Sequence, residues 1–361
     1  MEVRALRDAR RIVVKVGTSV VTRPDGRLAV GRMGAVAEAV AALHQQGRQV
    51  LLVSSGAIGL GVEQLGFERR PRSLVDQQAC AAAGQGTLVT TYDHLFSRLG
   101  LTLAQVLLTE DDFHRRARYI SLGQTLERLL GLGAIPLINE NDVVAAEHLS
   151  VFGDNDRLAA LVSIHLACDA LVLLSDVDSV RTAPPGDPAS ERIAVMTDDR
   201  KVSLGPASAG GTGGMQAKIR AARLAAREGV TTVVASGFLP DTLSRVMRDD
   251  DVGTRFPAAS RRPSRQRWLA LATVPEGTLH VNEGARRALV ERRASLLQPG
   301  IIAVEGSFGP HAVVRIVHDD TEIARGQCTR NAATITAALG STERDQVVVH
   351  RDALAILQEV P

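Results

Sequence analysis

Lysine is scarce in this chain, and the positions that retain it are the first candidates for chemistry. Of the 42 lysine and arginine residues only three are lysine, namely Lys15, Lys201 and Lys218. A chain that otherwise uses arginine should keep lysine where a compact ammonium group cannot be replaced by a planar guanidinium. Because Lys15 and Lys218 lie near glycines, they are predicted to bind phosphate as a pair.

The segments around these two lysines are of the kind that approach a phosphate closely. Gly17 follows Lys15 and permits close approach of the backbone to a ligand. Residues 210–218, GGTGGMQAK, lead into a predicted helix whose N-terminus would present N–H donors to phosphate oxygens, with a flexible linker as the alternative. No GxxxxGK[ST] loop and no GxGxxG turn after a strand is present, which disfavours P-loop enzymes and dinucleotide-dependent dehydrogenases.

Polar residues follow several apolar runs where buried strands are predicted to end. Residues 54–59, SSGAIG, offer hydroxyl and N–H groups that suit an anion, although a helix cap would use the same residues. Residues 139–142, NEND, and 153–156, GDND, are either solvated turns or a polar wall around an amino acid. In the second interpretation, one carboxylate would hold both lysines together against their repulsion.

Six short apolar runs predict the strands that would position these residues. They are continuous in Val, Ile and Leu, which is typical of strands buried on both faces of a parallel sheet: residues 12–16, 50–53, 103–108, 135–138, 171–174 and 232–235. Helices are predicted over residues 33–46, 76–99 and 157–166, the first two followed by Gly47 and Gly100 as C-caps. The alternation predicts a doubly wound α/β domain with ligands at the carboxyl ends of the strands.

The C-terminal quarter of the chain has a different pattern. Residues 256–267, FPAASRRPSRQR, show no periodicity and are the candidate linker. Short alternating segments then predict a small, mainly β module: residues 277–281, 300–304, 312–317 and 346–350. We therefore expect a first domain over residues 1–255, a linker over 256–274 and a second domain over 275–361.

Composition narrows the class of protein. A length of 361 residues suits two domains, and 45% hydrophobic with 23% charged residues is ordinary for a soluble protein. The first ten residues lack the apolar core of a signal peptide, so a cytoplasmic location is expected. A net charge of +2 gives no indication of non-specific nucleic-acid binding. Cys80, Cys168 and Cys328 are expected to be buried small side chains, and no metal-ligand spacing is present.

The chemistry that these parts allow is phosphoryl transfer to a small acid. An ionised carboxylate is already a nucleophile, so the transfer requires alignment and charge neutralisation rather than a general base. Two lysines and a magnesium ion carried by ATP would supply both.

Seven motifs occur along the chain in a fixed order: VVKVGTSV, SSGAIGLG, QVLLT, INEND, FGDNDRLAAL, LLSD and GTGGMQAK. Their order and approximate spacing resemble those of the bacterial glutamate 5-kinases of the amino-acid kinase superfamily. The resemblance covers nearly the whole chain. It implies a three-layer αβα sandwich around a mainly parallel sheet, with ATP on one half of the strand ends and L-glutamate on the other. The implied reaction is phosphorylation of the γ-carboxylate of glutamate, the first step of proline biosynthesis.

By position, the resemblance implies catalytic roles for Lys15, Lys218 and Asp156. It places ATP on Lys15, Gly17, Ser175, Asp176, Thr212, Gly213, Gly214, Met215, Gln216, Ala217 and Lys218. It places glutamate on Ser55, Gly56, Ala57, Asn139, Asp142 and Asn155. It also implies inhibition by proline and a homo-oligomer. Residues 177–182, VDSVRT, depart from the family pattern on the adenine side, and the loop over residues 143–152 carries His148 but no lysine or arginine.

Residues 275–360 resemble a PUA domain, which RNA-modifying enzymes also carry. Two arginine pairs, at residues 286–287 and 292–293, would either meet phosphate or form a solvated helix face. Phe308 is the one aromatic residue there that could stack on a base. The alternatives are therefore another small-acid or nucleoside monophosphate kinase of the superfamily, or an RNA-linked protein that uses this module.

Overall fold

The computed structural model describes residues 5–144, 155–184, 187–197, 214–261, 264–271, 275–341 and 346–357. It divides into two compact units. The first comprises Met1–Asp112 with Ala117–Arg261, and the second comprises Phe113–Arg116 with Arg262–Pro361. The segment expected to be a linker contains the end of a strand and a helix, so part of it is regular structure.

A seven-stranded sheet forms the centre of the first unit, with strand order β3-β4-β2-β1-β5-β6-β7. Its strands are β1 Arg11–Val16, β2 Gln49–Ser54, β3 Leu103–Leu108, β4 Ile135–Glu140, β5 Ala170–Ser175, β6 Thr231–Ser236 and β7 Thr254–Phe256. The first six pair in parallel and β7 is antiparallel to β6. The mainly parallel sheet and its six predicted strands are confirmed, whereas β7 was not predicted.

Helices cover both faces of this sheet. The helices up to residue 247 are α1 Thr18–Val21, α2 Val30–Gln45, α3 Ala57–Gln64, α4 Leu74–Arg98, α5 Asp111–His114, α6 Arg116–Gly131, α7 Asn155–His165, α8 Met215–Arg227 and α9 Thr242–Met247, of which α5 and α6 include residues of the second unit. Helices α2, α4 and α9 share one hydrophobic core with alternate residues of β1, such as Val14 and Val16. Side chains alternate across a strand, so Lys15 points to the opposite face, where α7 packs against β1 and α8. The three-layer αβα arrangement is confirmed.

Two helix ends follow the sequence signal closely. Gly47 and Gly100 have φ of 76° and 74°, the left-handed conformation that glycine adopts without a Cβ penalty. Each follows a helix within two residues of its end, so α2 and α4 terminate where the glycines predicted.

Helices α3 and α4 approach until their backbones touch. A Cβ atom on Gly61 would lie 1.8 Å from the carbonyl oxygen of Cys80, and one on Gly84 would lie 1.9 Å from that of Ala57. No side chain larger than hydrogen fits at either position. The contact fixes the height of α4 above the turn between β2 and α3.

The second unit holds a six-stranded sheet with strand order β10-β8-β11-β12-β13-β9. Its strands are β8 Gly277–Val281, β9 Leu296–Leu297, β10 Ile301–Glu305, β11 Val313–His318, β12 Thr321–Cys328 and β13 Val347–Ile356, and its helices are α10 Ser264–Leu271, α11 Glu283–Val290 and α12 Ala332–Ala337. Arg286 and Arg287 of α11 both pair with Glu283. The mainly β module is confirmed. Across the described part of the chain, no helix is long and apolar enough to cross a membrane.

Candidate active site

Two lysines and one aspartate meet at the end of the central strand. Lys15 extends from β1, Asp156 from the first turn of α7 and Lys218 from the first turn of α8. Lys15 Nζ lies 2.6 Å from Asp156 Oδ1, and Lys218 Nζ lies 2.9 Å from Asp156 Oδ2. All three side chains are buried. The structure thus brings together the three residues that were predicted to be catalytic, and we call them the lysine cluster.

The carboxylate is what allows two ammonium groups to share a buried space. Burial by itself would raise the pKa of Asp156, but the charges of Lys15 and Lys218 and their hydrogen bonds hold it well below its ordinary value. Asp156 is therefore ionised at neutral pH. With both lysines charged, the cluster has one positive charge in excess, which suits a polyanion such as a triphosphate.

Gly17 lies between the lysine cluster and the end of β5. Its N–H donates to the carbonyl oxygen of Leu174 at 3.0 Å. A Cβ atom at this position would lie 3.2 Å from the same oxygen and 4.0 Å from Lys15 Nζ. The first contact is tighter than normal and the second is an ordinary van der Waals distance, so a side chain here would press on the Leu174 carbonyl.

The predicted ATP residues after β5 and before α8 are placed as follows. Ser175 ends β5, is buried, and donates from Oγ to Asp176 Oδ1 at 2.9 Å. Gly214 is the N-cap of α8, and residues 215–217 form the turn that leads to Lys218. The first backbone N–H groups of a helix have no intrahelical acceptor and carry its positive dipole end. Thr212 and Gly213 lie outside the described residues, as does Lys201.

Three of the residues predicted to bind glutamate form one hydrogen-bonded group. Asn155 Nδ2 donates to the backbone oxygen of Ser54 at 3.2 Å, to Ser55 Oγ at 3.0 Å and to Asn139 Oδ1 at 2.9 Å. Asn139 Nδ2 in turn donates to Gln85 Oε1 at 2.8 Å. We call Asn155, Asn139 and Gln85 the amide chain.

The turn between β2 and α3 forms the floor beside the amide chain. Gly56 is the N-cap of α3 and has φ of 112°, a conformation that L side chains rarely adopt. A Cβ atom at Gly56 would also lie 3.2 Å from Val21 Cγ1. Ala57 is the first residue of α3 and is buried. Gly56 therefore has both a conformational and a steric reason to be glycine.

Asp142 lies in the turn after β4 and is half-buried. Burial raises its pKa to about 6, and the positive charge of Arg70 opposes that rise. In the described part of the chain, its carboxylate has no hydrogen bond to the amide chain. With a pKa of about 6, this carboxylate is mostly ionised at pH 7 and becomes protonated as the pH falls below 6.

Sequence reasoning missed two parts of this site. Gln85 of α4 completes the amide chain, and the backbone of Ser54 is its other end. The Ser54 hydroxyl donates to the Tyr92 hydroxyl at 3.2 Å behind the site, where burial raises the pKa of Tyr92 to about 12. Residues 84–86, Gly-Gln-Gly, carry a signal of close helix packing, because two glycines inside a helix suggest it, but they do not indicate a hydrogen-bonding role for Gln85.

The three cysteines belong to neither the lysine cluster nor the amide chain. Cys80, Cys168 and Cys328 are free and buried, as expected, and burial raises the pKa of Cys168 to about 12. Among the residues that the structure describes, no group of three His, Cys, Asp or Glu side chains is placed to hold a metal ion.

Comparison with known protein families assigns both parts of the chain to a family. Residues 10–236 match the amino acid kinase family, and residues 277–347 match the PUA domain. The kinase match covers more than half of the chain, which therefore belongs to the amino acid kinase family. An X-ray structure of isopentenyl phosphate kinase aligns with 68% of this chain and 99% of its own, with a TM-score of 0.49 at 19% identity.

Curated relatives narrow the family. The glutamate 5-kinase of Frankia casuarinae is 46% identical over 97% of this chain and 97% of its own length. Those of Myxococcus xanthus and Salinispora arenicola are 44% and 45% identical, over 98% and 97% of this chain and 98% of their own lengths. At this identity and coverage the chain groups with the glutamate 5-kinases, and the resemblance noted from the motifs is confirmed.

Proposed function

We propose that this chain transfers the γ-phosphoryl group of ATP to the γ-carboxylate of L-glutamate, forming L-glutamyl 5-phosphate and ADP as the first step of proline biosynthesis. The observation that carries the proposal is the buried lysine cluster next to the amide chain, joined through the neighbouring residues Asn155 and Asp156. The cluster suits phosphate, and the amide chain suits a polar amino acid. The relatives that match over nearly their whole length carry the name of this activity.

The reaction needs few protein groups. A γ-carboxylate oxygen attacks the γ-phosphorus, the bond from that phosphorus to the bridging oxygen breaks, and ADP leaves with the electron pair. The carboxylate has no proton to lose, so no general base takes part. Lys15 and Lys218 stabilise negative charge on the transferring and bridging oxygens. Asp156 holds the two ammonium groups in fixed positions before ATP arrives.

The two substrates would occupy opposite sides of β1. This strand lies between β2 and β5, which makes its carboxyl end the point where the strand order reverses and where ligands of open α/β sheets bind. We assign ATP to the β5 and α8 side, with Gly17, Ser175, Asp176 and residues 212–218. We assign glutamate to the β2 and β4 side, with Ser55, Gly56, Ala57, Asn139, Asp142 and Asn155.

The proposal extends to properties of the whole protein. Magnesium would enter with the nucleotide, because Mg²⁺ keeps several waters and binds mainly to phosphate oxygens in such sites. We further propose a kinase domain over residues 1–255, a linker over 256–274 and a PUA-like domain over 275–361. We also propose a cytoplasmic location, where ATP is available. The protein would form a homo-oligomer and would be inhibited by proline as a feedback inhibitor. RNA is the second candidate ligand, on the strength of the PUA match alone.

The deciding experiment is acyl phosphate trapping. Purified protein is incubated with ATP, Mg²⁺ and hydroxylamine, and hydroxamate is measured with L-glutamate, L-aspartate or N-acetyl-L-glutamate as acceptor. We expect hydroxamate from glutamate alone. Product from aspartate or acetylglutamate instead would reassign the substrate. A folded protein that binds ATP but forms no product from any acceptor would refute the kinase assignment.

A further inference from the structure

The amide chain has a direction, and a backbone oxygen sets it. A carbonyl oxygen can only accept a hydrogen bond, so the side of Asn155 that faces the Ser54 carbonyl at 3.2 Å must be its NH₂ group. The same NH₂ group lies 2.9 Å from Asn139, which must therefore present its oxygen. Asn139 then directs its own NH₂ group at Gln85 Oε1, 2.8 Å away. Turning any one amide around would place two donors or two acceptors against each other.

The direction of the chain determines what Gln85 offers at its far end. Its oxygen is used by Asn139, so the outer atom is the donor Nε2. This nitrogen is buried and has no hydrogen-bond partner among the described residues. Asn139, which holds Gln85 in this orientation, is 2% exposed. A buried N–H donor without an acceptor is costly, and a ligand oxygen would satisfy it.

The helix that carries Gln85 packs backbone to backbone against α3. At the preceding residue, Gly84, a Cβ atom would lie 1.9 Å from the Ala57 carbonyl oxygen, so α4 cannot move closer to α3 here without overlap, and moving away would open a gap between the two backbones. Gln85 thus lies on a helix that is fixed against the same turn, residues 55–57, that forms the floor of the site. A donor held this firmly is suited to binding and orienting a ligand.

We propose that Gln85 binds the α-carboxylate of the glutamate substrate through Nε2–H, an assignment that rests on the proposed function above. The γ-carboxylate must lie at the lysine cluster, where phosphoryl transfer takes place. Asn155 and Asn139 separate Gln85 from that cluster, so the opposite end of the substrate is the end that reaches Gln85. That end carries an ammonium and a carboxylate, and an N–H donor attracts the carboxylate and not the ammonium.

The first test separates substrate binding from support of the fold. Gln85→Met keeps the length of the side chain and removes both the Nε2 donor and the Oε1 acceptor of Asn139. A hydrogen bond to a charged group corresponds to roughly a ten- to hundredfold change in affinity, so KM for L-glutamate should rise by about that factor while kcat stays within about twofold. The control is Gln64→Met, which removes an exposed glutamine of the adjacent helix α3 and should leave both constants unchanged.

The second measurement uses 4-aminobutyrate, which is glutamate without the α-carboxylate, as substrate or as competitive inhibitor. If Nε2–H contacts that carboxylate, Gln85→Met should lose about tenfold or more affinity for L-glutamate beyond any loss for 4-aminobutyrate, which shares only the effect on Asn139. An equal loss of affinity for both compounds would mean that Gln85 acts only by supporting Asn139, and would overturn the assignment. An unchanged KM for glutamate would overturn it as well.

A gain of specificity provides a test that does not depend on a loss. Gln85→Glu still offers an oxygen to Asn139 but replaces the free donor by an acceptor. L-isoglutamine has an α-carboxamide in place of the α-carboxylate and retains the γ-carboxylate. The ratio of kcat/KM for L-isoglutamine to kcat/KM for L-glutamate should therefore be at least about tenfold higher in the variant than in the wild type. An unchanged ratio would contradict the proposal.

Failure of the proposed function and failure of this assignment can be told apart. Wild-type protein that does not phosphorylate glutamate would overturn both. The other negative results overturn this assignment alone.

Discussion

Replacing Asp156 by asparagine removes the charge between two buried ammonium groups and changes little else in shape. Lys15 Nζ and Lys218 Nζ contact the two oxygens of one carboxylate at 2.6 and 2.9 Å. Two unit charges roughly 5 Å apart repel by about 3 kcal/mol at an effective dielectric constant of about 20. Removing one partner of a buried ion pair generally costs about 3–5 kcal/mol. We therefore expect Asp156→Asn to lower the free energy of unfolding of the first unit by about 3–5 kcal/mol.

The assay is urea denaturation followed by far-UV circular dichroism, with and without ATP, beside the hydroxamate assay. Turnover should fall by about a hundredfold or more, because the ammonium groups lose their fixed positions. ATP supplies negative charge to the unpaired lysines, so any ATP that binds should stabilise the variant more than it stabilises the wild type. The control is the double variant Asp156→Asn with Lys218→Met, which removes one charge of each sign and should regain part of the lost stability.

The pH dependence gives an independent check. The pKa of Asp156 is lower in the folded protein than its ordinary value of 3.8, so its contribution to stability is fully present above that value and is lost as the pH falls through the folded-state pKa. The difference between wild type and Asp156→Asn should thus be constant near neutrality and close in strong acid. A loss below about 1 kcal/mol at pH 7, or a double variant no more stable than Asp156→Asn, would refute the reasoning from charge.

Three further outcomes are expected. Lys218→Arg should lower kcat by about a hundredfold or more with unchanged thermal unfolding, since a guanidinium cannot replace a compact ammonium group. Near-normal turnover in this variant would remove Lys218 from the mechanism. Because the pKa of Asp142 is about 6, KM for glutamate should rise as the pH falls below 6, and Asp142→Asn should abolish this dependence in pH-resolved kinetics. Gly84→Ala should destabilise the protein by about 1–3 kcal/mol, because its methyl group would clash with the Ala57 carbonyl. Gly86→Ala has open space around it and replaces a glycine inside a helix, so it should stabilise the protein by about 0.5–1 kcal/mol in the same urea titration.

The sheet was predictable because parallel strands buried on both faces leave a strong signal. Each of the six apolar runs lies in an observed strand, since continuous Val, Ile and Leu cannot be solvated on either side. Strand β7 escaped prediction because its three residues are too few to show a period. Helix α10 escaped because residues 264–267, Ser-Arg-Gln-Arg, show no apolar face from which a helix could be inferred.

The site was predictable to different depths. Scarcity and neighbouring glycines identified Lys15 and Lys218, and the need for a carboxylate between them followed from charge, but only the motif resemblance singled out Asp156. Asn139 and Asn155 stand in polar clusters at predicted strand ends, which directed attention to them. The roles of these residues in substrate binding and catalysis stay predictions.

Gln85 could not be found by the same means, and the reason is physical. A lone glutamine on a helix carries no charge and belongs to no motif with a characteristic spacing. The hydrogen bond that orients its side chain comes from a residue 54 positions away in sequence. The orientation of its amide is set, through Asn155 and Asn139, by the backbone carbonyl oxygen of Ser54. A backbone carbonyl is present at every residue, so the residue type gives no indication of this role. Hydrogen-bond direction through a series of amides is a property of three-dimensional contacts, so only coordinates could show that this side chain ends in a donor.

The residues Asn155 and Asp156 explain why the two halves of the site must move together. Asn155 starts the amide chain toward α4, and Asp156 holds both lysines on the other side of β1. They are consecutive residues in the first turn of α7, so a shift of this helix N-terminus would disturb the proposed glutamate and phosphate sites at once. A substitution at Asn155 should therefore affect the affinity for both substrates, whereas one at Gln85, two hydrogen bonds away, should affect glutamate alone.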